Sequence, residues 1–204
     1  MTSAGHAGLA GLAERRSLQR QSAVSGGYGV GMIVSVVGSG NGGLATAFDF
    51  ALHGHTVRLF DSPHFPDHVE EVAAAGGIHA TGEIEGFAEV AYSGHDPATA
   101  LQGAELIVLV GPAFSTQHQA EAVAPHLVSG QAVLICPASC AGSITFKRAA
   151  GLALDDETIT VGETSTLPYA VRIVAPGRIN VFHKLGGGVY VAGLPGRAPT
   201  GCCR

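Results

Sequence analysis

The clearest chemistry in this 204-residue chain lies in three glycines and an acid. "GSGNGG" sets Gly38, Gly40 and Gly43 in the spacing G-x-G-x-x-G, and Asp61 follows Gly43 by eighteen residues. Such a turn lets a pyrophosphate approach backbone N–H groups at a helix start, where the positive end of the helix dipole also lies. Gly38 permits a tight turn out of a strand, Gly40 keeps the backbone bare toward the phosphates, and Gly43 lets helix and strand sit close. Asn41, Gly42, Gly43 and Leu44 place no acid in the first turn to compete with an anion. The candidate cofactor contacts here are Gly38, Ser39, Gly40, Asn41, Gly42, Gly43 and Asp61. A carboxylate at position 61 accepts hydrogen bonds from both hydroxyls of an adenine ribose and repels a 2′-phosphate, and the following "SPH" offers no arginine. The expected cofactor is NAD(H) rather than NADP(H).

Two further segments carry candidate residues. "VGPAF" follows an apolar run, so Gly111, Pro112 and Ala113 are expected to pass over the cofactor, with "CPAS" (136–139) in the equivalent place one strand later. "VGETSTLPYAVRI" gathers Glu163, Thr164, Tyr169 and Arg172 in an otherwise charge-poor chain. The planar fork of Arg172 suits a substrate carboxylate, and the alternative is a local Glu/Arg pair on a surface loop. No metal site is expected. The ten histidines are scattered, and His64 and His68 straddle Pro66. Cys136 and Cys140 are spaced C-x3-C and Cys202 and Cys203 are adjacent, neither of which is a zinc spacing. No G-x-S-x-G elbow supplies a hydrolytic nucleophile.

The elements that must position these residues alternate. Ile33–Val37 reads as a buried strand, Leu44 to Leu52 as a helix, Thr56–Phe60 as a strand and 66–75 as a helix. A short strand pair is expected over 77–93, a brief helix over Pro97–Leu101 and a strand over Leu106–Val110. A helix over 114–127, a strand over Ala132–Cys136, a helix near 142–151 and a strand near 158–162 follow. Beyond Pro168 come two or three more strands. This order predicts an α/β fold with a doubly wound, mainly parallel Rossmann sheet and extra strands near the C-terminus. The expected organisation is a disordered leader over 1–31, a dinucleotide-binding domain over 32–196 and an irregular tail over 197–204. Met32 reads as a natural start preceded by extra residues. With 46% apolar and 13% charged residues the chain can build a core, and a net charge of −5 argues against nucleic-acid partners. No apolar run is long enough for a membrane span, and no secretory signal precedes residue 32, so a cytoplasmic protein is expected.

The segments "VVGSGNGGLATAFDFALHGHTVRLFD" and "GETSTLPYAVRI" together resemble the N-terminal domain of the octopine/nopaline (opine) dehydrogenase family. That cofactor domain is of the type shared with 6-phosphogluconate dehydrogenase. Glycerol-3-phosphate dehydrogenase and ketopantoate reductase are alternatives within that group, and a non-catalytic NAD-binding module or gene remnant is the alternative outside it. The E-T-x-x-L-P-Y-A-x-R segment is the more specific signal. The resemblance implies an NAD(P)H-dependent reductive condensation of an amino acid with a 2-oxo acid through an imine. It implies that Gly38, Gly40, Gly43 and Asp61 hold the cofactor, and that Glu163 to Arg172 lie near the nicotinamide. Family members continue into a helical C-terminal domain that supplies the catalytic histidine and acid. This chain is expected to lack that domain, and "RAPTGCCR" reads as a truncated tail. The catalytic residues are accordingly unassigned, the chain by itself is expected to be inactive, and an uncovered apolar face is expected to favour a homodimer.

Overall fold

Glycines and prolines set where each strand gives way to a helix. The computed structural model describes residues 31–138 and 141–196. β1 (Ile33–Val37) leads through the glycine turn into α1 (Asn41–Leu52), and Gly54, at φ 87°, turns the chain into β2 (Thr56–Phe60). α2 (Pro66–Ala75) opens on a proline, whose missing N–H is not needed there, and ends at a left-handed Gly76. β3 (Gly77–Gly82), β4 (Gly86–Glu89) and β5 (Tyr92–Gly94) precede α3 (Pro97–Leu101), which Asp96 caps through the N–H groups of Ala98 and Thr99. The chain continues through β6 (Leu106–Leu109), α4 (Thr116–Val123), β7 (Ala132–Ile135) and α5 (Gly142–Ala149). β8 (Thr160–Thr164), β9 (Tyr169–Ala175), β10 (Arg178–Lys184) and β11 (Val191–Leu194) complete it.

The main sheet has seven strands in the order β11-β8-β7-β6-β1-β2-β5. All neighbours are parallel except β11, which runs antiparallel to β8. Alternate residues of β1 face opposite layers. Val34 and Val36 join one core with Leu44, Phe48, Val57 and Leu59, and Val37 joins another with Ile107, Leu109, Ile135 and Phe146. The second core lies against α3, α4 and α5, so the sheet is covered on both faces, as a doubly wound fold requires.

The first core has a further layer. A separate four-stranded sheet, β4-β3-β10-β9, packs over α1. Helix α1 therefore lies between two sheets. Its run from Gly43 to Asp49 is buried without interruption, which explains a helix apolar nearly all round.

These arrangements refine the expectations in several places, and the short strand pair expected over 77–93 is in fact three strands, of which β5 joins the main sheet beside β2. The strands beyond Pro168 do not simply extend the main sheet: β9 and β10 join β3 and β4, and β11 alone returns to the main sheet edge. The segment 114–127 is not one α-helix. A 3-10 turn (Ala113–Ser115) precedes α4 and another (Ala124–His126) follows it, because Pro125 cannot donate the next helical hydrogen bond. The strand near 158–162 begins at Thr160, since Asp156 Oδ1 accepts from Thr158 N and Oγ1 and holds that stretch as a turn. The sixth and seventh strands each end one residue early, at Leu109 and Ile135. Residues 1–30 of the expected leader, the tail 197–204, Ser139 and three of the cysteines (Cys140, Cys202, Cys203) lie outside the described residues. No helix among the described residues is long and apolar enough to cross a membrane.

Candidate functional site: the glycine turn and its seat

The turn sits at the C-terminal ends of β1, β2 and β6, where open α/β sheets place their ligands. Gly38 has φ 109°, and a Cβ there would stand 2.1 Å from the Val110 carbonyl oxygen. A Cβ on Gly43 would stand 1.8 Å from the Gly38 carbonyl oxygen. Both glycines are therefore required by close backbone approach. Gly40 differs: nothing lies within 4 Å of the position its Cβ would take, and the residue is exposed. The turn is thus packed at its two ends and open at its middle, and that open middle leads into the first turn of α1.

Asp61 is brought against this turn by the last residue of β2. Its Oδ2 accepts from Ser39 N at 2.6 Å and from Ser39 Oγ at 2.7 Å, and its Oδ1 accepts from Ser62 N at 2.8 Å. The main chain of Asp61 is held as well, its N–H donating to Gly94 O and its carbonyl 2.9 Å from His95 Nδ1. Because a carbonyl only accepts, that ring nitrogen carries the proton. Beneath the turn, Gln119 Nε2 donates to Val37 O at 3.2 Å and to Val110 O at 3.4 Å, tying the ends of β1 and β6 together. Gly111 lies beside them, hemmed by Ser115 Oγ, and Pro112 and Ala113 are exposed at the rim next to a largely exposed Phe114.

Other members of the expected set have different partners. Asn41 Oδ1 accepts from Ile173 N at 2.7 Å and so pins β9 to the start of α1. A Cβ on Gly42 would meet the Leu167 side chain at 2.9 Å and Val110 Cγ1 at 3.1 Å, so Gly42 leaves room for Leu167. Glu163 Oε2 accepts from Ser143 N at 2.7 Å, at the start of α5. Thr164 is buried and its Oγ1 donates to Thr166 O and Ile135 O. Arg172 is exposed on β9, and its Nη1 donates to Val171 O. Glu163 on the main sheet and Arg172 on the second sheet are not paired with each other.

Tyr169 belongs to a polar hub that the sequence reading missed. Its hydroxyl donates to Asp49 Oδ2 at 2.6 Å, Lys184 Nζ donates to Asp49 Oδ1 at 2.8 Å, and His53 Nδ1 lies 3.3 Å from Asp49 Oδ1. Burial first, and the Asp49 charge second, push the Tyr169 phenol well above its ordinary range. Burial likewise raises the Cys136 thiol, whose Sγ faces Thr166 O. The signal for the hub was a lone acid inside the apolar run "ATAFDFAL"; nothing local marked Gln119 or the fully buried Lys147, whose Nζ donates to the carbonyls of Leu154 and Asp156.

Comparison with known proteins places this architecture. No family model matches the chain. An opine dehydrogenase from Arthrobacter sp. (strain 1C) is 30% identical over 162 residues, covering 79% of this chain and 44% of that enzyme. The chain thus spans less than half the length of that curated relative. Octopine dehydrogenase solved with NADH and pyruvate superposes with TM-score 0.70 at 22% identity, over 80% of this chain and 43% of that one. Yersinopine dehydrogenase solved with NADP+ superposes with TM-score 0.63 at 16% identity, over 84% of this chain and 43% of that one. Ketopantoate reductases share the fold as well. The resemblance to opine dehydrogenases read from the two motifs therefore holds in sequence, and the doubly wound Rossmann architecture holds in fold.

Proposed function

We propose that this chain is the NAD(H)-binding part of an opine dehydrogenase, acting in the reductive condensation of an amino acid with a 2-oxo acid. The observation that carries the reading is the glycine turn itself. Its ends are closed by backbone contacts at Gly38 and Gly43, its middle at Gly40 is open, and a carboxylate from the end of β2 is seated against it. A pyrophosphate fits such a cradle, since nothing occupies the space above Gly40 and no acid lies in the first turn of α1. Gly38 to Gly43 would hold the pyrophosphate through their backbone, with the Ser39 side chain turned to Asp61, Asp61 would hold the adenine ribose, and Gly111 to Ala113 the adjoining rim. The lack of arginine beside Asp61 favours NADH over NADPH.

When bound, the cofactor supplies the hydride that reduces an imine. The chain's own residues bind and orient it. Glu163, Thr164, Tyr169 and Arg172 are proposed for the nicotinamide side. Of these Arg172 alone is both charged and exposed, and it suits a substrate carboxylate. Among the described residues none is assigned as general acid or base, so turnover by this chain alone is outside the proposal.

The test is titration of the folded protein with NADH, followed by nicotinamide fluorescence. Saturable binding, weakened by Asp61→Ala with a narrower gap to NADPH, is the expected result. A folded sample that shows no saturation at millimolar NADH would overturn the reading.

A further inference from the structure

Ser39 is 1% exposed, and both of its donors converge on one oxygen of Asp61. A backbone N–H alone would have closed the turn. The hydroxyl adds a second, side-chain bond to the same oxygen, while Ser62 N holds the other oxygen. An ionised carboxylate offers roughly four acceptor positions, so these three bonds leave about one, on Oδ1. That is fewer than a carboxylate accepting from both ribose hydroxyls needs.

We propose that Ser39 is a positioning residue for cofactor choice, acting through Asp61. This rests on the dinucleotide reading above. The Ser39 hydroxyl holds the carboxylate so that Oδ1 alone is offered to one ribose hydroxyl. Two consequences follow. The Asp61 side chain is ordered before the cofactor arrives, so binding NADH entails no further loss of its rotamer freedom. A 2′-phosphate would meet a charge that cannot swing aside, because both oxygens are held. Removing the hydroxyl loosens the carboxylate, weakening NADH binding and relaxing the exclusion of NADPH.

The experiment measures dissociation constants for NADH and NADPH by fluorescence titration, with circular dichroism to establish that each variant is folded. Ser39→Ala, with Ser39→Gly as a second variant lacking the hydroxyl, should narrow the NADH preference by about three- to tenfold, the share of one charge-assisted bond whose backbone companion survives. Ser39→Thr keeps a hydroxyl and should restore the preference. In an Asp61→Ala background, Ser39→Ala should change nothing, because its effect runs through the carboxylate. Equal weakening of both nucleotides would mean that Ser39 meets the shared pyrophosphate, and would overturn the proposal. So would an effect that persists undiminished without Asp61. Wild-type binding with an unmoved ratio in Ser39→Ala and Ser39→Gly overturns the role of Ser39 alone; wild-type protein that binds neither nucleotide overturns the dinucleotide reading and this proposal together.

Discussion

Replacing Asp49 by alanine tests how the second sheet is fastened to the dinucleotide helix. The residue is 8% exposed, and its carboxylate accepts from the Tyr169 hydroxyl on β9 and from Lys184 Nζ at the end of β10. The two donors fare differently when the acceptor goes. The Lys184 side chain is 32% exposed and regains hydration, so its pair counts as a surface one, worth up to about 1 kcal/mol. The Tyr169 hydroxyl is held in mostly apolar surroundings, and stranding it costs about 1–3 kcal/mol. The expected loss centres on about 2.5 kcal/mol, or a fall in Tm of about 5–10 °C for a chain of this length. Tyr169→Phe alone leaves Asp49 with Lys184 and should cost about 1 kcal/mol. The double variant should be more stable than additivity predicts, by about 1–2 kcal/mol, because the stranded hydroxyl is no longer there. Urea unfolding at neutral pH, followed by circular dichroism, measures all three. A loss below about 0.5 kcal/mol for Asp49→Ala, or strictly additive variants, would refute the hub.

Three further outcomes are expected. Gly43→Ala should unfold the protein or lower its Tm steeply, since its Cβ would stand 1.8 Å from the Gly38 carbonyl oxygen, whereas Gly40→Ala should leave the Tm nearly unchanged and weaken NADH binding; thermal scans paired with titrations separate the two. Because the Tyr169 phenol is raised above its ordinary 10.0, the folded form holds that proton more tightly than the unfolded chain. Its contribution is fully present below pH 10.0 and is lost as pH rises through the higher folded value, so Tyr169→Phe should flatten the alkaline decline in urea-unfolding stability. Ser35 is fully buried on β1, and its Oγ has no hydrogen-bond partner among the described residues, so Ser35→Ala should raise stability by about 1 kcal/mol in the same assay.

The parts that were legible are those whose signals are contiguous. β1, the glycine turn, α1 and β2 occupy one unbroken stretch, and each boundary is marked by a glycine or by the change from continuous to helical apolar spacing. Pro66 and Pro97 likewise announce α2 and α3, because proline belongs in a helix's first turn. The second sheet was legible only as separate strands. Its central pairing sets His79 beside Arg178 in parallel, and no local pattern specifies a partner so distant. The hub has the same character: Asp49 meets residues 120 and 135 positions away. A sequence shows that an acid is buried in an apolar helix, but its partners depend on which strands the fold lays over that helix.

The same distinction bears on the segment Glu163 to Arg172, whose charged and hydroxyl-bearing residues suggest a binding site. In the structure most of them are engaged in joining. Glu163 meets the start of α5, Leu167 fits against Gly42, Tyr169 reaches Asp49, and Asn41 takes the N–H of Ile173 just beyond. This segment carries the chain from the main sheet to the second sheet across the start of α1. Its contacts at Asn41 and Gly42 fall within the dinucleotide turn, and Tyr169 grips the same helix about two turns on. A displacement of β9 would therefore be felt at the N–H groups that face the proposed pyrophosphate. Arg172 rides on that strand. Its side chain is exposed between Val171 and Ile173, which pack toward the core against α1. Of the strand's two fastenings to α1, the Asn41 bond to Ile173 is exposed and the Asp49 carboxylate is buried; a buried polar group needs its partner, so the Asp49 to Tyr169 bond is the one that fixes the strand's position on the helix.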